Sequence, residues 1–256
     1  SSLFFDELIL GSYVQKFSIL FTCYYYIFNN KSKFIIPIVL IITLEICLIS
    51  GERLALFTII IFCLIYFFLF MKTSIFYKTT SIFFISILIT TLLSISPNTK
   101  SRVIYDTLDS LKSSNFTYYS PGHKKHFDLA MKLFSDKPIT GHGSNKFRKT
   151  CEDYQNKYQI GGCSTHPHNL IAQFLSEKGI VGILFLLTFY LLIIKYIIRG
   201  ITNKDANSLS LLLISILLFY NPFFPSANFY NSWVNNIIII VFSYLIILNP
   251  QRANDR

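Results

Sequence analysis

Residues Gly179–Ile198 read GIVGILFLLTFYLLIIKYII, twenty residues with a single charged side chain, that of Lys195. A helix of about 20 apolar residues is long enough to cross the hydrocarbon core of a bilayer. The stretch therefore predicts a transmembrane helix. The whole chain agrees, since 52% of its 256 residues are hydrophobic and 14% are charged, against about 25% charged in soluble domains. This composition excludes a disordered chain, and five cysteines over this length exclude a small disulfide-stapled domain.

Seven stretches of this kind predict an all-α polytopic membrane protein with about seven transmembrane helices. They are Val14–Phe28, Phe34–Ser50, Leu54–Met71, Thr79–Ser96, Gly179–Ile198, Asn207–Phe224 and Val234–Leu248. The polar stretch Pro97–Lys178 separates the fourth from the fifth and predicts one large, mostly helical loop subdomain. The predicted division is residues 1–96 with four spans, 97–178 as the loop, and 179–256 with three spans and a short cytoplasmic tail.

The orientation follows from Lys and Arg, which accumulate in cytoplasmic connections. Basic residues cluster after the first, third, fifth and seventh spans, so these connections are assigned to the cytoplasm. The opposite side then receives the large loop and the turn Ser50–Arg53. The chain has no initiator methionine and opens outside the membrane under this topology, so we expect further spans upstream. The orienting residues are Lys31, Lys33, Lys72, Lys78, Lys195, Arg199, Lys204, Arg252 and Arg256.

The predicted loop concentrates the groups that carry chemistry. It has twelve Lys and Arg against seven Asp and Glu. A basic face beside a membrane suits an anionic ligand such as a lipid phosphate or diphosphate, although a merely solvated basic loop has the same composition. Nucleic acid is a poor alternative on an extracytoplasmic face. Arg53 falls on the same predicted face, where anion binding competes with simple snorkelling. The loop also holds all five histidines, His123, His126, His142, His166 and His168.

The segment Cys163–Asn169 reads CSTHPHN. Its His-x-His pair could suggest a metal, but the further ligands of a known zinc site are absent at the usual spacing, so no metal is expected. The alternatives are a structural surface histidine or a catalytic imidazole. For the latter, Asn169 can cap the following helix, whose positive end favours the neutral, proton-accepting form of His168. Cys151 and Cys163 form a disulfide if the loop is extracytoplasmic, or are two free thiols.

Several segments resemble the O-antigen ligase and polymerase family of bacterial envelope enzymes. The most specific is His168–Asn169, with Gly179 following nine intervening residues later. The Ser-Gly-Glu-Arg53 turn and the segment Asp136–Arg148 also fit. So do the stretches 5–13 and 224–233. The seven spans and the large outer loop resemble the second half of the family's twelve-span, GT-C-like plan.

The resemblance implies a glycosyltransferase of the bacterial inner membrane with its active face in the periplasm. Such an enzyme takes a glycan from undecaprenyl diphosphate. It passes the glycan to a lipid A-core sugar as a ligase, or to another repeat unit as a polymerase. The resemblance implies no cofactor and no metal. The expected partners are the lipid-linked donor, the glycan or lipid A-core acceptor and membrane lipids, and no nucleic acid.

The resemblance also assigns roles to residues. His168 matches the loop histidine and is the expected general base, a role suited by an unperturbed pKa near 6.5. Arg53 is expected to bind the departing diphosphate on the same outward-facing rim. His123 stands where the family often carries a second arginine, so it is a third catalytic candidate. Further substrate or diphosphate contacts are expected from Lys124, Lys125, Arg102, Arg148, Asn169 and His166.

A transporter of lipid-linked glycans is the main alternative from another class. It would favour ionisable residues within the spans, and there Glu45 is the one clear interior charge. A sensor with an extracytoplasmic ligand domain is a third reading and should carry a sizeable output domain. The sequence does not separate ligase from polymerase.

Overall fold

The computed structural model describes residues 10–28, 35–71, 73–113, 120–202, 208–230 and 232–247. Within these ranges the chain is helical and has no strand, which confirms the predicted all-α class. An isolated antiparallel bridge joins Asn169 to Pro225. Two π-helical turns, Tyr66–Phe70 and Ser101–Tyr105, extend α3 and α5. The helices are α1 Leu10–Phe28, α2 Ile35–Ser50, α3 Arg53–Ile65, α4 Ile75–Ile95, α5 Pro97–Lys100, α6 Asp106–Ser113, α7 Pro121–Asp136, α8 Phe147–Tyr158, α9 Leu170–Thr202, α10 Ser208–Phe219 and α11 Ser232–Ile247.

Each of the seven predicted spans falls largely on one of these helices. By length and composition, the stretches Arg53–Phe70 and Leu170–Thr202 can cross a membrane, and three shorter apolar helices accompany them. The count of seven spans and the extracytoplasmic position of the loop stay predictions. Residues 1–9 and most of the basic residues that set the predicted orientation (31, 33, 72, 204, 252 and 256) lie outside the described ranges.

The predicted sixth span is too long at its C-terminal end. It was expected to reach Phe224, whereas α10 ends at Phe219. Pro222 and Pro225 follow this point. A proline has no amide hydrogen to donate, and it disfavours the helical conformation at the residue before it. Residues 220–230 therefore leave the helix and form a loop.

One compact unit comprises residues 1–107, 196–219 and 240–256. In it, α1 packs against α2, α3 and α10. Pairs of small polar side chains satisfy one another inside this apolar packing, as is common between helices in membranes. The Thr43 hydroxyl donates to Ser18 Oγ at 2.6 Å, and Cys23 Sγ lies 3.3 Å from Ser215 Oγ. The fully buried apolar side chains include Ile19, Leu40, Ile59, Phe62, Leu211 and Leu212.

Glu52 stabilises the start of α1. Its carboxylate accepts hydrogen bonds from the amide of Gly11, from the amide of Ser12 at 3.0 Å and from the Ser12 hydroxyl at 2.6 Å. A carboxylate at this position satisfies unpaired amides and the positive end of the helix dipole. A Cβ on Gly11 would lie 2.5 Å from Ser50 Oγ, so the close approach requires glycine.

The second compact unit comprises residues 108–195 and 220–239. Ser120 caps α7, accepting from the amide of His123 at 3.5 Å, and Pro121 occupies the first helical position, which tolerates proline. Apolar residues spaced three and four apart give α7 one buried face. That face packs with α8 and α9 in a core of Leu129, Ala130, Leu133, Phe147, Cys151 and Ala172.

Helix α9 is broken at Gly179. This glycine has φ 63° and ψ −157°, a conformation essentially restricted to glycine. The break separates the amphipathic segment 170–178 from the apolar stretch that follows. The amide of Ile180 donates to the Pro138 carbonyl at 2.8 Å, and the amide of Val181 donates to the Ile139 carbonyl at 3.3 Å. Amides released by the break are thus satisfied by the loop after α7.

The same loop approaches the end of segment 170–178 backbone to backbone. The amide of His142 donates to the Ser176 carbonyl at 3.0 Å, and the amide of Gly143 donates to the Glu177 carbonyl at 2.9 Å. A Cβ on Gly141 would lie 2.4 Å from the Glu177 backbone. Gly141 and Gly179 together allow this contact, which we call the glycine contact.

Replacing either glycine should destabilise the protein. Gly179→Ala puts a side chain into a glycine-only conformation and places its Cβ 2.4 Å from the Ile139 carbonyl oxygen. We expect a loss of about 2 to 4 kcal/mol in the free energy of unfolding, measured by thermal unfolding in detergent. Gly122→Ala is the control, because its Cβ meets nothing closer than 4.0 Å on α7. Equal stability of the Gly179 and Gly122 variants would contradict the proposed constraint.

Candidate functional site

His168 lies immediately before α9, in the left-handed region with φ 54°. Histidine adopts this conformation infrequently, and such residues concentrate at functional sites. The loop after α10 holds it, because the amide of Ser226 donates to the His168 carbonyl at 2.9 Å. The neighbouring residue Asn169 pairs with Pro225 in the isolated bridge. Both contacts come from the loop of residues 220–230, about 60 residues later in the sequence, and this loop therefore fixes the backbone of His168.

Asn169 is the N-cap of α9. Its Oδ1 accepts from the amide of Ala172 at 2.9 Å, and its Nδ2 donates to the Pro222 carbonyl at 3.1 Å. The side chain is almost completely buried. These contacts are those of the predicted cap. A contact of Asn169 with substrate stays a prediction.

Three of the other four histidines gather around His168. The ring centroid of His168 lies 4.0 Å from that of His166, 5.0 Å from that of His126 and 5.5 Å from that of His123. His123 and His126 come from the first turns of α7, and the other two come from the loop before α9. We call these four residues the histidine cluster. Within the described ranges, no group of three His, Cys, Asp or Glu side chains is arranged to hold a metal ion.

The hydrogen bonds of the cluster separate its members. His166 uses both ring nitrogens, since Nε2 donates to the Ser226 carbonyl at 3.1 Å and the Thr165 hydroxyl lies 3.0 Å from Nδ1. His126 donates from Nδ1 to the Gly162 carbonyl at 2.6 Å. A carbonyl oxygen only accepts, so these bonds fix the tautomers of both rings. Both ring nitrogens of His166 are therefore engaged within the protein, and its contact with substrate stays a prediction.

Ser164 lies within hydrogen-bonding distance of His168, with its Oγ 3.2 Å from Nε2. Ser164 directly follows Cys163, which forms a disulfide with Cys151 of α8, and their Cα atoms are 5.1 Å apart. The amide of Cys163 also donates to Gln155 of α8 at 3.0 Å. The loop that carries His166 and His168 is therefore tied to the second unit's core through α8.

The surroundings strongly disfavour protonation of His168. Burial, followed by the charges of His166, His126 and His123, lowers its pKa to about 3. Burial also lowers the pKa of His166, with weaker contributions from other imidazoles and Arg148. The unperturbed pKa near 6.5 expected from sequence is therefore wrong for His168. Desolvation and like charges both oppose the imidazolium, so His168 is a neutral imidazole at neutral pH.

The predicted basic residues of the loop lie at its surface. Lys124 and Lys125 are exposed in the first turns of α7, and Arg148 is exposed in the first turn of α8. The fifth histidine, His142, lies outside the cluster. Its Nε2 is 3.0 Å from the Leu133 carbonyl, and its ring meets the edge of another aromatic ring. Its contacts are structural.

A buried polar network adjoins the glycine contact and was not predicted from sequence. Glu177 is 1% exposed and accepts from the amide of Phe147 at 2.9 Å, at the start of α8. Gln173 is also 1% exposed and donates to Asn228 Oδ1 at 2.7 Å. It accepts from the amide of Phe229 at 3.0 Å. The network ties segment 170–178 to the loop of residues 220–230.

Arg53 belongs to the first unit, and His168 belongs to the second. Arg53 is exposed at the start of α3, and its Nη1 donates to the Asp106 carbonyl at 3.2 Å. Arg102 packs against the same turn, because a Cβ on Gly51 would lie 3.1 Å from its Cδ. Two arginines thus gather at the turn 50–53. Their common rim with His168 stays a prediction.

The arginines at the turn 50–53 and the histidine cluster suit different chemistry. Paired guanidinium groups can neutralise a diphosphate. A neutral imidazole can accept a proton from a hydroxyl. Sequence reasoning found Arg53 and His168 but gave no role to His126, Ser164 or Ser226. The spacing of His123 and His126, three apart on a helix, is the signal that could have paired them.

A family model described as O-antigen ligase matches residues 38–187. This range is more than half of the chain, and it contains both the arginine turn and the whole histidine cluster. None of the curated proteins matches the chain, and none of the solved structures does.

The low pKa of His168 predicts how stability depends on pH. The unfolded imidazole binds a proton near pH 6.5, whereas the folded one does so only near pH 3. The contribution of His168 to the free energy of unfolding is therefore complete above pH 6.5 and is lost as the pH falls toward 3. We expect the melting temperature in detergent to fall between pH 7 and pH 4, and to fall less in His168→Gln. An unchanged slope in His168→Gln would contradict the assigned pKa.

The disulfide should contribute to the stability of the second unit. Cross-links that close loops of this length contribute about 3 kcal/mol by restricting the unfolded chain. Reductant should lower the melting temperature of the wild type in detergent. The double variant Cys151→Ala/Cys163→Ala should start lower and not respond to reductant. A wild-type protein indifferent to reductant, with its thiols shown to be reduced, would contradict the role of this bond.

Proposed function

We propose that this chain, which belongs to the O-antigen ligase family, is a membrane glycosyltransferase. It moves a glycan from undecaprenyl diphosphate to an acceptor sugar hydroxyl. The transfer takes place on the periplasmic face of the inner membrane. In the form we favour, the acceptor is a lipid A-core sugar and the enzyme is a ligase. The observation that carries the proposal is the histidine cluster, because it lies in the matched range and surrounds the one histidine that the family resemblance had marked as a base.

We assign His168 to the acceptor hydroxyl. Its ring is neutral and its backbone is held in the left-handed region. A hydroxyl already lies within hydrogen-bonding distance of the ring, because Ser164 Oγ is 3.2 Å from Nε2. A hydroxyl of an acceptor sugar can hydrogen-bond to such a ring and give up its proton as the new bond forms. The acceptor oxygen then uses its electron pair to bond the anomeric carbon of the donor.

We assign Arg53 and Arg102 to the departing diphosphate. The bond from the anomeric carbon to the diphosphate oxygen breaks with its electron pair on the diphosphate. Stabilising that developing charge is usually the largest electrostatic contribution to catalysis. Arg102 supports the role because it packs on the turn that carries Arg53, whereas His123, which stands in the place of the family's second arginine, belongs to the histidine cluster. Lys124, Lys125 and Arg148 remain further candidates for this contact.

The roles of His168 and Arg53 separate in a transfer assay with a lipid diphosphate-linked glycan. His168→Ala should lower the rate by roughly 10²- to 10⁴-fold and leave binding of the lipid-linked donor nearly unchanged. Arg53→Ala should weaken both transfer and donor binding, because the guanidinium contacts the diphosphate. His142→Ala is the control for loss of a loop imidazole.

The acceptor decides the subclass. Product on lipid A-core alone supports a ligase, and product on a second repeat unit alone supports a polymerase. Donor movement across a vesicle without a glycan product on any acceptor would replace the enzyme by a transporter. Near-normal transfer by purified His168→Ala would remove the base assignment.

Arg102 has its own test. Arg102→Ala should raise the KM for the lipid-linked donor about tenfold, and Arg102→Lys should restore only part of it, since a lysine lacks the planar fork that fits two phosphate oxygens. Lys100→Ala removes a positive charge two residues away and is the matched control. A donor KM in Arg102→Ala equal to that of Lys100→Ala would show that Arg102 does not bind the diphosphate.

A further inference from the structure

The histidine cluster contains more imidazoles than one general base requires. His168 has three imidazole neighbours with ring centroids between 4.0 and 5.5 Å away. Among the described residues, the charges that act on His166 and His168 come from other imidazoles and from Arg148. A proton placed on His168 is therefore repelled from several sides and not stabilised by a carboxylate. It needs a way out of the cluster.

The hydrogen bonds favour His126 over His166 as the recipient of the proton. His166 has both ring nitrogens engaged, with Ser226 and Thr165. The Nδ1–H of His126 is directed at the Gly162 carbonyl at 2.6 Å. This bond leaves Nε2 as the proton-accepting nitrogen of the ring. It also strengthens when the ring becomes a cation, because hydrogen bonds from charged donors are stronger than neutral ones.

The position of His126 suits onward release of the proton. Its ring is 5.0 Å from that of His168, within reach directly or through one water. It is less buried than His166, and it lies on α7 beside the exposed Lys124 and Lys125. The groups that face it are His123 on its own helix, His166 and His168 of the loop, and the Gly162 carbonyl.

We propose that His126 is a second proton-accepting residue of the transfer reaction, and that it receives from His168 the proton of the acceptor hydroxyl before that proton passes to water. The inference rests on the proposed glycosyl transfer. The balance is complete within that reaction. The acceptor oxygen keeps its electron pair and bonds the anomeric carbon, the diphosphate leaves with the pair of the broken bond, and one proton moves from the hydroxyl to His168, to His126 and to solvent.

The relay accounts for how so weak a base can act. An isolated imidazole in the surroundings of His168 gains little by taking a proton, because burial and its neighbours oppose the charge. Passing the proton to a second ring, whose cation donates to a backbone carbonyl, lowers the cost of the charged state. His126 then acts through His168, so it is a proton-relay residue that positions no substrate itself.

The test is the pH profile of the purified full chain in detergent, with a lipid diphosphate-linked glycan and its acceptor. His126→Gln keeps an amide that can donate to Gly162 but cannot take up a proton. We expect kcat at neutral pH to fall on the order of tenfold to a hundredfold, with the donor KM changed less than twofold. The wild-type rate should fall at acid pH, where a protonated His126 can no longer accept the proton. This fall should be absent from the profile of His126→Gln.

His126→Ala and His142→Ala provide the second readout, with imidazole added to the buffer. Imidazole should raise the rate of His126→Ala several-fold and leave that of His142→Ala unchanged. A purely structural role of His126 predicts a uniform loss at all pH values and no rescue, and that result would overturn the relay while leaving the transferase intact. Absence of transfer by the wild type with any acceptor would overturn the transferase, and the relay with it.

Discussion

The glycine contact between residues 138–143 and the break in α9 is the constraint on which the second unit depends. Gly141 and Gly179 allow two backbones to approach more closely than any side chain permits, and the loop returns hydrogen bonds to the amides that the break releases. The break separates the amphipathic segment 170–178 from the apolar stretch that follows. The start of that amphipathic segment is capped by Asn169, and its end packs on α8 through Glu177. His168 therefore lies at the start of segment 170–178, and the glycine contact about ten residues later fixes the other end of that segment.

The chemistry of the histidine cluster follows from this placement. Holding His168 beside three other imidazoles, partly out of water, makes its cation costly, because desolvation and like charge act in the same sense. A base of this kind is neutral over the whole physiological range, so it is always available but holds a proton weakly. The hydrogen bonds then distinguish the neighbours of His168 from one another. His166 has both ring nitrogens engaged, whereas His126 keeps Nε2 as an acceptor.

The first unit contributes a contrasting arrangement of charge. Glu52 and Arg53 are neighbours in sequence but have separate partners. The carboxylate caps α1, and the guanidinium donates to a backbone carbonyl. Arg102 adds a second guanidinium at the same turn, as Gly51 leaves room for its side chain. A positive turn of this kind suits an anion with several oxygens.

The sequence by itself determined the helical class, the apolar segments, the capping role of Asn169 and the family, because these depend on local composition, periodicity and short motifs. It also singled out His168. Only the tertiary structure decided what surrounds that ring. His126 approaches it from a helix about 40 residues earlier in the chain, and Ser226 comes from a loop about 60 residues later. The end of α10 at Phe219 and the size of the fall in the pKa of His168 were missed for related reasons. Prolines beyond an apolar run outweigh its hydropathy, and burial beside like-charged groups is a property of packing that no local pattern records.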